Sequence, residues 1–185
     1  MNFDKQFLVA LPKLVDSAFG KSVVYVDKHD GDGAHGWIVN KQVDKSTAAR
    51  LRRGMGLSKE VPVFWGGPLD INSAVILHSS DFSIRSTVKL NDTLSMTRDK
   101  TIINIINMGQ FPEYWRIIVG HSGWAAGQLE SEVLGSRTNG IAHWTGIPYS
   151  HNLMWNTMPD AQWETGLNMY AEQMTNNLLK IQEVE

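Results

Sequence analysis

Short apolar runs separated by turn-forming residues occupy the first half of the chain. The run at 7–11 ends at Pro12, and the run at 22–26 is rich in β-branched and aromatic residues, so both predict strands. Glycine and aspartate at 30–33, followed by another apolar run, predict a hairpin over residues 22–40. Further short strands are predicted at 61–65, 74–78, 87–90 and 94–96.

Helical spacing of apolar residues predicts four helices, at residues 47–55, 99–109, 124–134 and about 160–179. Gly54 and Gly56 would stop the first helix, while Asp99 would cap the second and Gly109 would end it. In the last helix an apolar side chain recurs every three or four residues, at Trp163, Leu167, Tyr170, Met174 and Leu178. This stripe predicts that the helix docks on the rest of the molecule.

The order of the predicted elements favours an α+β fold with a mixed, largely antiparallel sheet and helices packed on it. No internal repeat, low-complexity linker or change of composition divides the sequence. Residues 1–185 are therefore predicted to form a single compact domain that ends in an amphipathic helix.

Composition narrows the classes of function. The 185 residues, 42% of them hydrophobic, suffice for one core, and a net charge of −2 gives no overall attraction to nucleic acid or anionic lipid. The chain has no cysteine, which excludes a disulfide framework, a thiolate nucleophile and cysteine-ligated metal sites. The first apolar run is too short for a signal peptide or a membrane span. We therefore expect a cytoplasmic protein without a cofactor and without a membrane partner.

One glycine-rich segment, residues 120–123, is the strongest candidate for chemistry. It follows the apolar run at 116–119 and precedes a predicted helix, which is the setting of a nucleophile elbow. In that interpretation Ser122 would be the nucleophile and His121 or His143 its base.

The match to an elbow is incomplete, because Trp124 stands where the motif needs a small residue. Two other interpretations use the same atoms. Ser122 could cap the helix while Gly120 and Gly123 allow a tight turn, or free N–H groups at 123–126 could bind an anion. We predict no catalytic residue.

Acids and histidines gather at residues 27–35, which raises the question of a metal site. A calcium loop that starts at Asp30 would need a glutamate where Lys41 stands, so calcium is excluded. Zinc could use His29 and His35 across the hairpin, but no third ligand is indicated. Hydrated polar residues at a hairpin tip explain the segment better, and no metal is predicted.

Basic residues cluster once, at Lys41, Lys45, Arg50, Arg52, Arg53 and Lys59. A helix that presents Arg50, Arg52 and Arg53 could contact phosphates, but no helix-turn-helix, zinc finger or aromatic RNA-binding motif accompanies it. A hydrated helix face is the favoured interpretation, so direct nucleic-acid binding is not predicted.

Four of the seven tryptophans fall beside glycines or turns, at Trp37, Trp65, Trp124 and Trp144. They could line a shared pocket or an interface, where tryptophan is enriched. We favour a role in filling the core, with their N–H groups paired.

Three collinear blocks carry a family resemblance, at residues 7–12 with 22–26 and 33–41, at 64–69 with 75–78, and at 120–132. The third contains Gly-Trp-Ala-Ala-Gly-Gln-Leu-Glu, the most diagnostic stretch. In order and content they resemble the AlgH/YqgE family from near the N-terminus to about Trp163.

The resemblance implies a single-domain α+β protein without an established activity or cofactor, in a family named for a genetic link to transcriptional control. In that family the position of Ser122 is commonly alanine, which argues against a nucleophile. The chain departs from the family pattern at 137–151, in the short segment 47–61 and at His121, where tyrosine is typical. A divergent, phage-encoded member would show such departures.

We therefore predict a non-catalytic regulatory or interaction protein that binds a protein partner or a small anion. The predicted contact surface comprises Trp65, Gly66, Gly67, Gly120, Ser122, Gly123, Trp124, Gly127 and Gln128. The alternatives are a Ser122-dependent hydrolase and a regulator that contacts DNA through Arg50, Arg52 and Arg53.

Overall fold

The computed structural model describes residues 1–136 and 139–182. It divides into two compact units: unit 1 comprises Met1–His35 and Gly123–Glu185, and unit 2 comprises Gly36–Ser122. The chain leaves unit 1 within strand β3 (Gly33–Ile38) and returns to it within strand β8 (Trp115–Ala125). The single-domain assignment stays a prediction.

Unit 1 is built on an antiparallel sheet whose central strand is β1 (Gln6–Ala10). This strand pairs on one side with β2 (Val23–Asp30) and on the other with β9 (Trp144–Pro148). Phe7 lies opposite Tyr25 and Ile147, and all three side chains are fully buried. The predicted strand at 7–11 and hairpin at 22–40 are thus confirmed.

Unit 1 also contains the α-helices α3 (Gln128–Leu134) and α4 (Pro159–Gln182). The indole N–H of Trp163 on α4 donates to the Ala10 carbonyl at 2.7 Å. A Cβ at Gly166 would lie only 2.9 Å from Val9 Cγ2, so the helix packs closely on β1. The predicted stripe therefore docks at its start, whereas residues 171–180 are exposed and docking of Met174 and Leu178 is contradicted.

Unit 2 contains a mixed sheet with two helices packed against it. Strand β5 (Leu69–Ser79) pairs antiparallel with β7 (Leu94–Thr97) and with β8. Strand β4 (Val63–Trp65) pairs parallel with β8, and β6 (Val88–Lys89) pairs antiparallel with β7. The α+β class with a mixed, largely antiparallel sheet is confirmed.

Apolar side chains join the helices of unit 2 to its sheet. Helix α1 (Lys45–Met55) buries Ala48, and helix α2 (Thr101–Asn107) buries Ile102 and Ile106, against Ile76 and Ile117 of the strands. Gly56, with φ of 74°, ends α1 as predicted. Gly54 does not stop the helix but lies within it.

The structure overturns one prediction that matters for function. Strand β8 runs through Gly120 and Ser122 to Ala125, and α3 begins only at Gln128, after Gly127 in the left-handed region. The predicted helix at 124–134 was therefore placed too early. At Gly120 the glycine permits close packing of the backbone against Gly67 and does not mark the predicted strand-to-helix turn.

In the described part of the chain, no helix combines the length and apolar composition that a membrane span requires.

Candidate functional site

Three glycines of unit 2, Gly66, Gly67 and Gly120, form what we call the glycine joint. Their backbones approach so closely that a Cβ at Gly67 would meet the His121 carbonyl oxygen at 2.3 Å, and one at Gly120 would meet the Gly67 oxygen at 2.4 Å. The Gly66 N–H donates to the Val119 carbonyl at 2.8 Å. All three residues are buried, so the joint is a packing element between β8 and the chain after β4.

Ser122 belongs to this packing and is not exposed on a turn. Its side chain is fully buried and its hydroxyl donates to the Gly66 carbonyl at 3.0 Å. His121 precedes it in a strand, so the two side chains point to opposite faces of the sheet. The Ser122–His121 couple and the helix-cap interpretation are both wrong. His143, the other candidate base, lies in unit 1, where its backbone N–H donates to the Glu132 carbonyl.

The predicted anion pocket at 123–126 is also wrong. Gly123 to Ala125 lie in β8 and do not open a helix, so their N–H groups are not the free donors of a first helical turn. The Ala125 N–H donates to Gln128 Oε1 at 3.0 Å.

In unit 1, the Glu132 carboxylate accepts hydrogen bonds from the indoles of Trp124 and Trp144, and we call this group the indole–carboxylate cluster. Glu132 Oε2 accepts from Trp124 Nε1 at 3.1 Å and from Trp144 Nε1 at 2.8 Å, while Oε1 accepts from Gln128 Nε2 at 2.9 Å. The two rings pack edge to face, with centroids 5.8 Å apart. Only 7% of Trp124 is exposed, so it fills the core, as favoured for the tryptophans, and offers no contact surface.

The histidines of the hairpin have separate partners. His29 accepts from the Phe3 N–H at 3.0 Å, and its Nε2 lies 3.1 Å from Glu130 Oε1. His35 contacts Asp27. Within the described ranges, no three side chains of the metal-binding types come together.

The basic cluster in unit 2 does not form one cationic face. Arg52 donates to the Val61 carbonyl at 2.7 Å and is half-buried, whereas Arg50 and Arg53 are exposed. Lys41 lies over the ring of Trp65, 5.9 Å from its centroid, and burial lowers the pKa of Lys41. In the alternative in which α1 contacts DNA, only Arg50 and Arg53 of the three arginines remain exposed.

A cleft of about 540 Å³ opens in unit 2 between α1, β5 and the residues before α2, and we call it the α1–β5–α2 cleft. Its apolar lining comes from both helices and two strands, chiefly Leu51, Met55, Ile76, Ile102, Ile103 and Val119. Its charged lining consists of Arg50, Asp70, Arg98, Asp99 and Lys100. A concave apolar surface with a few charged groups is the usual form of a small-molecule site.

The charged groups of the cleft differ in the contacts that they make within the protein. Asp99 accepts from the Thr101 N–H at 2.9 Å and from the Thr101 hydroxyl at 2.7 Å, and these bonds lower the pKa of Asp99. Arg98 lies over the buried ring of Trp37, 6.0 Å from its centroid. Within the described residues, neither Arg50 nor Lys100 makes an ion pair.

One wall of the cleft is a bulge in β5. Leu69 pairs with His121 and Ala74 pairs with Val119, so residues 70–73 bulge out of the ladder. Asp70 has φ of 46°, in the left-handed region, and lines the cleft. We did not predict this site. Its signals were the polar interruption at 70–73 and the charged residues before α2.

These observations define the class of protein: an α+β protein with a packed glycine joint and an open apolar cleft. The chain belongs to the AlgH-like family, whose model matches residues 7–175. A UPF0301 protein of Methylococcus capsulatus is 34% identical over 166 residues, covering 88% of each chain. A UPF0301 protein of Vibrio cholerae is 33% identical over 178 residues, covering 90% of this chain and 91% of its own.

Two solved structures share the fold of this chain. The solution structure of the AlgH protein from Pseudomonas aeruginosa matches with a TM-score of 0.70 and 25% identity, covering 90% of this chain and 87% of that one. A crystal structure from Corynebacterium diphtheriae has the same fold, with a TM-score of 0.58 and 21% identity, covering 82% of this chain and 78% of that one.

Proposed function

We propose that this AlgH-like protein is a non-catalytic interaction protein, and that it binds its partner in the α1–β5–α2 cleft. The observation that carries the proposal is the cleft itself, about 540 Å³ with an apolar floor. Arg50 and Lys100 at its rim are not committed to ion pairs within the described residues. Such a surface gains free energy when a partner covers it.

Neither alternative function has comparable support. A Ser122-dependent hydrolase needs an accessible hydroxyl, and that of Ser122 is buried and bonded to Gly66. Arg52 is not available for a DNA contact through α1, because its guanidinium donates a hydrogen bond to the Val61 carbonyl. Trp65, half-buried beside Lys41, stays a secondary candidate for a contact surface, and an effect on transcription would then pass through a protein partner.

Gly54 provides the test, because it lies in α1, lines the cleft, and a Cβ there would meet no atom within 4 Å. Gly54→Phe should fill the mouth of the cleft, while Gly54→Ala adds only a methyl group and should favour the helix. Tagged wild type and both variants are used to capture partners from cell extract, and bound proteins and small molecules are identified by mass spectrometry.

A partner held by the wild type and by Gly54→Ala, but lost from Gly54→Phe, supports the proposal. Equal capture by all three proteins places binding elsewhere and contradicts it. Thermal unfolding of each variant confirms that the comparison is between folded proteins.

A further inference from the structure

We infer that the α1–β5–α2 cleft takes a small organic carboxylate with an apolar body, and that Arg98 binds its anionic group. This inference rests on the proposed function and names the class of ligand. It follows from the size of the cleft, the distribution of its charges and the position of the Arg98 guanidinium.

Size and lining favour a small molecule. A volume of about 540 Å³ falls within the range of roughly 300–1,000 Å³ that small-molecule sites occupy. The floor is formed by side chains such as Met55, Ile76 and Ile103, which offer no hydrogen bonds to a sugar or a nucleobase. The body of the ligand is therefore apolar.

The charges of the lining favour an anion. Three cations, Arg50, Arg98 and Lys100, face two acids, Asp70 and Asp99. The Asp99 carboxylate already accepts hydrogen bonds from Thr101 and from the Ser86 hydroxyl. Asp70 remains the only acid of the lining that makes no hydrogen bond within the described residues. Three formal positive charges against two negative ones give the lining a net positive charge, and the hydrogen bonds to Asp99 do not change that balance.

Arg98 is the cation that the fold orients best. Its guanidinium lies over Trp37, which is 1% exposed and cannot move without disturbing the core. Arg98 also lines a small polar niche beside the bulge, together with Asp70, Ser73 and His121. A guanidinium that lies over an aromatic face can still donate two parallel hydrogen bonds to a carboxylate.

The probe is decanoate, which has an apolar chain and one carboxylate, compared with decyltrimethylammonium, which has the same chain and the opposite charge. Calorimetric titrations are carried out below the concentration at which either probe aggregates. We expect decanoate to bind the wild type, decyltrimethylammonium to bind far more weakly, and added salt to weaken the binding of decanoate.

Four variants locate the site. Arg98→Gln should weaken decanoate binding about tenfold, the usual loss for one hydrogen-bonded charge. Asp70→Asn should strengthen it, because asparagine tolerates the left-handed backbone and removes a like charge. Arg53→Gln, an exposed arginine of α1 outside the lining, should leave it unchanged. Gly54→Phe should abolish it.

Three results would each overturn the inference: no binding of decanoate, equal binding of both probes, or unchanged decanoate binding in a folded Arg98→Gln variant. If decanoate fails while Gly54→Phe still loses a captured partner, such as an acidic peptide, the ligand class is wrong and the proposed function stands. If decanoate binds as expected but capture is equal for all proteins, the ligand class stands and the interaction partner binds elsewhere.

Discussion

At the scale of single residues, Gly120 and Gly127 show two different physical reasons why glycine is required: a positive φ and a close approach of another backbone. Both have φ near +70°, at 72° and 69°, but a Cβ at Gly120 would lie 2.4 Å from the Gly67 oxygen, whereas one at Gly127 would meet nothing within 4 Å. Gly127→Ala should therefore cost only the left-handed conformation, about 1–2 kcal/mol. Gly120→Ala should add an unavoidable clash and cost about 3 kcal/mol or more. Urea unfolding measures both, and equal losses would contradict the close approach at the glycine joint.

His78 makes stability depend on pH. It is fully buried, with Nδ1 at 2.9 Å from the Ser79 carbonyl and Nε2 at 3.0 Å from the Thr97 hydroxyl. Burial lowers the pKa of His78 below its ordinary value of 6.5. The unfolded chain thus binds the proton more readily than the folded protein does. The contribution of neutral His78 to the free energy of unfolding is therefore complete above pH 6.5 and is lost as the pH falls below that value.

We expect the free energy of unfolding to decrease as the pH is lowered below about 6.5. The decrease should be less steep in His78→Asn, because asparagine does not titrate. Chemical unfolding at a series of pH values gives both slopes. Identical slopes in the two proteins would remove His78 from this account.

At the scale of elements, the indole–carboxylate cluster joins α3 to its surroundings within unit 1. Glu132→Ala leaves the N–H groups of Trp124 and Trp144 without their acceptor and should cost about 3 kcal/mol. Glu132→Gln keeps an acceptor oxygen and should cost about 1 kcal/mol. Tryptophan fluorescence during urea unfolding measures the two losses, and equal losses would mean that the hydrogen bonds contribute little.

Helix α4 changes its role along its length. Met174 and Leu178 are 43% and 61% exposed, so the double variant Met174→Glu and Leu178→Glu should keep the thermal stability of the wild type. Leu167→Glu places a charge on the half-buried docked segment and should lower it. A large loss from the double variant would show that the exposed half is held by contacts within the molecule.

The regular elements could be predicted from sequence, because apolar spacing reports which face of a strand or helix is buried. This explains the success at β1, at the hairpin and at α1, and also the docked half of α4. The C-terminal part of strand β8 was not predicted, because a glycine in the sequence can indicate either a turn or a close backbone contact. At Gly120 it is the close contact with Gly67 that requires the glycine. Sequence order carries no information about that neighbour.

At the scale of the whole molecule, the cleft could not be predicted for a related reason. Its lining comes from segments near residues 50, 70 and 100, none of which has a motif of its own. The bulge at 70–73 arises from pairing with β8, which is distant in sequence. The family, by contrast, could be inferred because three blocks keep their order along the chain, and the match to residues 7–175 confirms it.

The discontinuity of unit 1 has a consequence during protein synthesis. Unit 2 is one uninterrupted stretch, but β1 pairs with β9, and Trp163 bonds to Ala10 across 153 positions. Strand β2 can pair with one edge of β1 early, but the other edge of β1 must wait on the ribosome until β9 has been translated. We expect nascent chains stalled while β9 is still in the exit tunnel to be cleaved by protease near β1 and to resist it in unit 2. A chaperone that shields an open strand edge would therefore be needed at β1.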